Sequence, residues 1–252
     1  MTDIVKEIMK HSRSREIIIT FASNSYLPIL KIWLSYITAH DINNYCVISL
    51  DKDLYNKLLV KNIPVVLMEA KKPITPNTKE RLWVKRITLI LQLLENGIDV
   101  LHSDADAFWI KDFRKHLLSK RSDLIFSIAY ALPKDVVASW GFILCCGFFK
   151  IQSNLRTCEF TKDFLEKCCD LGDDQVALNR LLKEKGTIWA FDTIFYNRGY
   201  CPAYPLTIDV LPKNIVSRQP DSNAFIYHPF LSSNNIPEKV NQVAKGLEKI
   251  NR

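Results

Sequence analysis

Glycine is scarce in this chain, with seven among 252 residues, and none of them stands in GxGxxG, GxxxxGKS or GxxxxGKT. Both common phosphate-cradling loops need glycines at those spacings so that backbone N–H groups can approach the phosphates, and both are excluded. Gly-Ser pairs of the kind that open many polymerase-like nucleotidyltransferase sites are absent, as are GxSxG and HExxH, which removes the serine-hydrolase elbow and the zinc-protease helix. The longest apolar run, about Trp140 to Phe149, falls well short of the ~20 residues that a membrane-spanning helix needs. The opening "MTDIVKEIMKHSRSREIIITFA" carries charge throughout and lacks the uninterrupted apolar core of a secretory leader, so the chain reads as cytosolic. Seven cysteines include two vicinal pairs, Cys145–Cys146 and Cys168–Cys169, but no CxxC. That argues against a zinc site and a disulfide framework and for buried, reduced thiols.

What is present is an ordinary globular composition, 48% hydrophobic and 24% charged, with a net charge of +7. A basic excess favours anionic partners: nucleic acid, a membrane surface or a phosphorylated small molecule. The basic residues are scattered, and the densest patches, Lys10 to Arg15 and Lys79 to Arg86, are short. A dedicated nucleic-acid face is therefore not expected.

Periodicity orders the first half. "EIIITFA" (Glu16 to Ala22), "YCVISLD" (Tyr45 to Asp51) and "IPVVLME" read as buried strands, separated by helices over about Leu27 to His40 and "KDLYNKLLVK". This βαβαβ pattern opens a parallel sheet. The segment Glu69 to Thr78 reads as a loop. A long buried helix follows from about Lys79 to Asn96, capped by Gly97, with Arg81, Lys85, Thr88 and Gln92 as a narrow polar stripe. "DVLHS" is the fourth strand, and a short helix is expected near Asp112 to Leu118. The second half is less regular: strands at "DLIFSI", "CCGFFKIQ" and "TIWAFD", helices over Ser153 to Asp170 and from Asp173, a proline-rich loop region from Asn197, then "AFIYHPF" and a final helix over about Pro237 to Ile250.

The stretch "LHSDADAFWIKD" concentrates the chemistry. Asp104 and Asp106 follow the fourth strand, at the sheet edge where open α/β proteins bind ligands. If the backbone stays extended there, residues i and i+2 point both carboxylates to one side. Two oxygens on one side suit a hard divalent cation, Mg²⁺ or Mn²⁺, which relieves the carboxylate repulsion and accepts phosphate oxygens. "AFW" is expected to pack the turn. The plainer alternative is an acidic surface turn.

An ordered set of segments carries a family resemblance: "TFASNSYLPIL", "LWVKRITLILQLLENGIDVLHSDADAFWIKD", "DLIFS", "CGFFKIQSN", "DDQVALNRLL" and "IYHPF". Over roughly residues 16 to 230 the chain resembles the nucleotide-diphospho-sugar transferase family of type-A-fold glycosyltransferases, which includes plant cell-wall xylosyl- and arabinosyltransferases and enzymes of large algal viruses. The resemblance implies one type-A glycosyltransferase domain over residues 1–252, an α/β fold with a mainly parallel, Rossmann-like central sheet flanked by helices. Residues 16–130 form its nucleotide-sugar-binding half and 131–252 its acceptor-side half. It also implies a donor that is a nucleotide-diphosphate sugar, such as a UDP-sugar, a glycan or glycoprotein acceptor, and Mn²⁺ or Mg²⁺ held by the DxD residues Asp104 and Asp106 with the late His228.

By the same resemblance Ala22, Ser23, Asn24 and Asp51 take the base and ribose, and Arg81, Lys85 and Asp104 face the diphosphate. Asp174 and Gln175 match an Asp-Gln pair set against the donor sugar in retaining relatives. Asp174 then accepts sugar hydroxyls, Gln175 lies near the anomeric carbon, and the leaving diphosphate helps deprotonate the acceptor. Asp173 reads as a helix cap. Some relatives follow the late histidine with Gly and Lys. Here "HPFLSSNN" has neither, which leaves Ser232 or Ser233 as substitutes. Trp140 and Tyr204 read either as sugar platforms or as buried core aromatics. Two other classes stay open on the residues alone: a metal-dependent nucleotidyltransferase or phosphoesterase, and a non-catalytic basic module that binds nucleic acid.

Overall fold

A computed structural model describes residues 2–68, 79–114, 122–191, 197–233 and 235–251. The expected loop over Glu69 to Thr78 and most of the expected helix near Asp112 to Leu118 lie outside the described residues. Two compact units interleave along the chain: residues 1–17, 70–102 and 122–212 form one, and residues 18–69, 103–121 and 213–252 form the other. Among the described residues there are eight α-helices and twelve strands, and no helix is long and apolar enough to cross a membrane.

The second unit contains the expected βαβαβ pattern. Strands β1 (Glu16–Ala22), β2 (Tyr45–Ser49) and β3 (Val65–Leu67) run parallel in the order β3-β2-β1, with Ile18 opposite Tyr45 and Ala22 opposite Ser49. Their β-branched residues are buried on both faces, as strands covered on both sides require. Helix α2 (Leu27–Ala39) follows a 3₁₀ turn at Asn24–Tyr26 and starts with Pro28 in its first turn, where the missing N–H costs nothing. It buries Ile29, Leu30, Trp33, Leu34 and Ile37 at helical spacing. Helix α3 (Lys52–Leu59) is capped by Asp51, whose carboxylate accepts the Leu54 N–H at 2.8 Å.

The first unit holds α1 (Asp3–Met9), α4 (Lys79–Glu95), β4 (Asp99–Ser103), β6 (Leu124–Ala129), α5 (Lys134–Trp140), β7 (Ile143–Ile151), α6 (Leu155–Leu171), α7 (Asp174–Glu184), β8 (Ile188–Phe191), β9 (Asn197–Cys201) and β10 (Leu206–Leu211). Its strands are ordered β4-β7-β6-β10-β9-β8. β10 runs parallel to β6, whereas β6–β7, β10–β9 and β8–β9 are antiparallel. The mainly parallel sheet that was expected is thus found in β1 to β3 and in the β6–β10 pair, alongside these antiparallel pairs. Gly97 closes α4 at φ 76°, as its position suggests, and a side chain there would run into Arg15.

The first part of the proline-rich stretch from Asn197 is not loop-like, since β9 and β10 run to Leu211; between Pro212 and Pro220 the chain is irregular apart from the two residues of β11, Val216–Ser217, as expected. Pro202 and Pro205 sit in the turn between β9 and β10, and Pro212 directly follows β10. The prolines punctuate a hairpin whose β10 carries the β-branched run "TIDV". Asp123, just before β6, knots this unit together. Its Oδ1 accepts from Asn154 Nδ2 and Arg156 Nη2, both at 2.9 Å, and its Oδ2 accepts from the Thr207 N–H at 2.9 Å and hydroxyl at 2.8 Å. Burial would raise this carboxyl, but the bonds from Thr207 and Asn154 and the Arg156 charge outweigh it and hold it below the usual range.

Candidate active site

The second unit builds a turn that carries both aspartates. β4 ends at Ser103, and the Ala107 N–H then bonds the Asp104 carbonyl at 2.9 Å. The chain is therefore not extended here, so the i, i+2 spacing alone does not align the carboxylates. A β-turn over Asp104–Ala107 brings them together. The Ser103 hydroxyl anchors this turn from below: it accepts the indole N–H of Trp33 at 3.1 Å and of Trp109 at 3.2 Å. Ala107, Phe108 and Trp109 are fully buried, so "AFW" packs the turn as expected.

His228 reaches the turn through a second, small sheet. Strand β5 (Phe108–Trp109) pairs antiparallel with β12 (Ile226–Tyr227), Tyr227 opposite Phe108, and β11 (Val216–Ser217) lies on the other side of β12. One further step along the β5–β12 register sets His228 opposite Ala107. The His228 N–H bonds the Ser217 carbonyl at 2.8 Å, and its own carbonyl accepts from Arg218 Nη1 at 3.2 Å, so its backbone is held from both sides. His228 Nε2 lies 3.5 Å from Asp106 Oδ1 and 3.8 Å from Asp104 Oδ2. Ligand atoms of the three residues all fall within 4.8 Å of one another.

Two carboxylates and an imidazole at this separation fit a divalent cation. Ligands about 2.1 Å from an ion are ~3.0 to 3.5 Å apart around it, so a small contraction closes the set. The mixed oxygen and nitrogen donors suit Mn²⁺ at least as well as Mg²⁺. Asp104 is the most open of the three side chains, at 36% exposure, against 17% for Asp106 and 6% for His228. His228 Nδ1 is buried and has no hydrogen-bond partner among the described residues.

Tyr26 was not expected here. Its hydroxyl donates to Asp106 Oδ2 at 2.8 Å, leaving Oδ1 as the oxygen that faces His228. Burial first, then the Asp106 charge, push the Tyr26 phenol far above its usual range, so it stays a donor at any physiological pH. Its position in "FASNSY" was the available signal. The rest of that stretch is fixed to α3: the Asn24 N–H bonds Asp51 Oδ2 at 2.6 Å, and Asn24 Oδ1 accepts from Lys57 Nζ at 2.8 Å. The Ser23 hydroxyl meets that of Ser25 at 2.9 Å, and the Ala22 carbonyl accepts the Leu50 N–H at 2.9 Å. Ala22, Ser23 and Asn24 at the end of β1 therefore lie beside Asp51, which follows β2 and braces the backbone with both oxygens.

In the first unit, Asp174 is 3% exposed and forms an ion pair with Arg86, itself 7% exposed. Arg86 Nη1 also lies 2.9 Å from Nε2 of the buried His102, whose ring packs on Phe149. Burial first, then the Asp174 charge, raise the nearby Cys146 thiol well above its usual range, and burial pushes Cys168 up to about 12. Arg86, too, was missed by sequence reasoning. It falls on the apolar stripe of α4 with Ile90, Leu93 and Leu94, and a charge on a buried stripe is a signal in itself. Asp173 caps α7 by accepting the Val176 N–H at 2.8 Å, as expected, and Gln175 Nε2 donates to the Leu132 carbonyl at 3.1 Å.

Lys85 is half-buried on α4; Arg81 belongs to the same helix, but its side chain lies outside the described residues. Tyr204 is a core aromatic, edge-on to Phe160 and bonded to Asp163. Trp140 is half-buried in a cluster with Phe142 and Trp189. Ser233 is engaged at the start of helix α8 (Ile236–Ile250), bonded to Glu238 and to the Asn235 N–H, and Ser232 takes a long 3.5 Å contact from Gln242. Lys239 of that helix places Nζ 5.3 Å from the Tyr26 ring centre.

Residues 40–238 match the nucleotide-diphospho-sugar transferase family, and the chain belongs to that family. Both the family and the fold are those of glycosyltransferases. Over 104 residues the chain is 32% identical to the UDP-galactose:fucoside alpha-3-galactosyltransferase of Dictyostelium discoideum, a match covering 39% of this chain and 15% of that protein. Over 115 residues it is 24% identical to an arabinosyltransferase of Arabidopsis thaliana, covering 43% and 18%. The chain thus spans less than a fifth of the length of either curated relative. Among solved structures, the galactosyltransferase LgtC superposes with a TM-score of 0.56 at 14% identity, covering 94% of this chain and 95% of that one. A glycosyltransferase involved in glycosylation of the major capsid of PBCV-1 gives 0.51 at 11% identity, covering 91% and 98%. These likenesses establish the type-A glycosyltransferase fold.

Proposed function

We propose that this protein transfers a glycosyl group from a nucleotide-diphosphate sugar to a hydroxyl of a glycan or glycoprotein, with a divalent cation held by Asp104, Asp106 and His228. One observation carries the reading: in a chain of this family, two carboxylates from a turn and an imidazole from more than a hundred residues away converge within 4.8 Å. A UDP-sugar donor is favoured because the more similar curated relative is named for UDP-galactose.

Asp104, Asp106 and His228 would hold the cation, whose charge would offset that of the departing diphosphate. Tyr26 holds Asp106 in one orientation. Ala22, Ser23 and Asn24 after β1, with Asp51 after β2, offer backbone and side-chain groups to the nucleoside. Arg81, Lys85 and Asp104 serve the diphosphate. The lysine that some relatives carry after the late histidine is missing from "HPFLSSNN", and Lys239, which reaches over Tyr26, is the cation we assign in its place.

Asp174, ion-paired with Arg86, accepts hydrogen bonds from donor-sugar hydroxyls. Gln175 is a poor nucleophile, which favours front-side attack with retention. The anomeric C–O bond to the phosphate breaks, the acceptor oxygen bonds the same face, and the acceptor proton passes to the leaving diphosphate oxygen.

The test is incubation with Mn²⁺ and a panel of nucleotide sugars, following nucleotide release. Slow hydrolysis of one sugar nucleotide, abolished by Asp106→Ala, is expected; no turnover or binding with any of them would refute the proposal. Product NMR showing an inverted anomeric centre would remove Gln175 from its assigned role while leaving the transfer reading in place.

A further inference from the structure

Helices α2 and α3 of the second unit leave an open cleft between them, about 680 Å³ in volume, which shares no lining residue with the cluster of Asp104, Asp106 and His228. One wall is the α2 stripe Leu27, Lys31 and Leu34, spaced i, i+4, i+7. The other is the end of α3 and the turn after it, "KLLVKNI", which contributes Leu58, Val60 and Ile63 with Lys57 and Lys61. The lining is therefore mainly aliphatic, with three lysines, Asn56 and no carboxylate. Lys57 is engaged with Asn24, whereas Lys31 and Lys61 are exposed and make no ion pair among the described residues.

The hydrophobic residues beside the cleft face the wrong way for a folded surface. Val60 is 84% exposed and Leu59 51% exposed, and they are adjacent, with lysines at both ends of the "KLLVK" run. Scattered exposed apolar residues need no explanation, but two neighbours on a helix end, fringed by cations and backed by an apolar cleft, form a coherent patch.

We propose that this face docks on a membrane surface bearing anionic phospholipid headgroups. Leu59 and Val60 enter the boundary between headgroups and acyl chains, the cleft receives part of a chain, and Lys31 and Lys61 meet the phosphates. Charge complementarity selects the partner: the patch is cationic without a compensating carboxylate, on a chain of net charge +7. A bilayer is favoured over a single soluble amphiphile because a molecule confined to the cleft would leave Leu59, which does not line it, and the outer part of Val60 in water, whereas a membrane covers both. The proposal does not depend on the transfer chemistry, since no residue of the turn or of the Arg86–Asp174 pair takes part.

The experiment is vesicle flotation of the intact protein with phosphatidylcholine alone and with about 30% phosphatidylserine, comparing wild type, Val60→Asp and the pair Lys31→Glu with Lys61→Glu. All three sites are exposed, and matching thermal melts establish that the variants fold. Wild type is expected to float with the anionic vesicles only. The double charge reversal should weaken partitioning by ~25-fold or more, at about fivefold per basic residue at an anionic surface. Val60→Asp should weaken it by ~10-fold or more, as a charge replaces an inserted side chain. Salt-sensitive binding that Val60→Asp leaves unchanged would overturn the proposal by reducing it to diffuse charge attraction. Binding of a monomeric short-chain phosphatidylserine without flotation would overturn it in favour of a soluble ligand. No binding in either arm would overturn it outright.

Discussion

Replacing Tyr26 with Phe removes one atom from the proposed metal site without touching a ligand. The hydroxyl donates to Asp106 Oδ2 at 2.8 Å, and this bond decides which carboxylate oxygen faces His228 Nε2, 3.5 Å away. A hydrogen bond to a charged acceptor contributes about 1.5 to 3 kcal/mol. Losing a group that orients a ligand typically costs about 10- to 100-fold in metal affinity. The two figures agree, because 1.4 kcal/mol is a factor of about ten. Phe keeps the ring under Lys239 and leaves the Trp33–Ser103–Trp109 anchor intact, so the fold should hold. The assay is titration with Mn²⁺, following the electron paramagnetic resonance signal of the free ion, on wild type, Tyr26→Phe and Asp106→Ala. The expected order is wild type tightest, Tyr26→Phe weaker by at least ~10-fold, and Asp106→Ala without measurable binding. A Tyr26→Phe affinity within about twofold of wild type would refute the orienting role, whatever happens to turnover.

Arg86→Met should leave Asp174 buried without its cation and lower stability by ~3 to 5 kcal/mol in chemical denaturation. Adding Asp174→Leu to that variant should restore part of the loss, since the buried charge goes with its partner. Asp123 has a folded pKa below its unfolded value, so its stabilising contribution is complete above about pH 4 and is lost as pH falls through the lowered value. Asp123→Asn should therefore reduce stability at pH 7 and flatten the acid limb of a urea-denaturation series. Gly246→Ala should drive a methyl group into the buried Tyr227 ring. Because Tyr227 adjoins His228, Mn²⁺ affinity should fall along with the melting temperature.

Much of this architecture is legible in the residues because the signals are strong. β-branched runs mark β1 to β3, the 3.6 period and Gly97 mark α4, and the aspartates follow a strand end, as they do in the structure. The failures have physical causes. Prolines weighed against strands from Asn197 onward, yet a hairpin tolerates them in its turn: β9 ends before Pro202, and β10 runs between Pro205 and Pro212. The Asp104–Asp106 spacing suggested an extended chain, but the Ser103 clamp and the Asp104–Ala107 bond make a turn. Strands β5, β11 and β12 are two residues each, too short for any periodicity, so the route that brings His228 to the aspartates cannot be read from the sequence. Tyr26 and Arg86 were hidden for a related reason. Each acts through a partner about eighty or more residues away.

The β5–β12 ladder also gives the site a date of assembly. About 120 residues separate Asp106 from His228, which at ~5 to 20 residues per second is roughly 6 to 24 s of synthesis. Throughout that interval the emerging chain carries two neighbouring carboxylates and no imidazole to complete them. Only when Ile226 and Tyr227 zip onto Phe108 and Trp109 does the third donor arrive. A chain arrested before that point would thus hold an incomplete site rather than a weaker one, and capture of the proposed cation would report that the C-terminal segment has found its place.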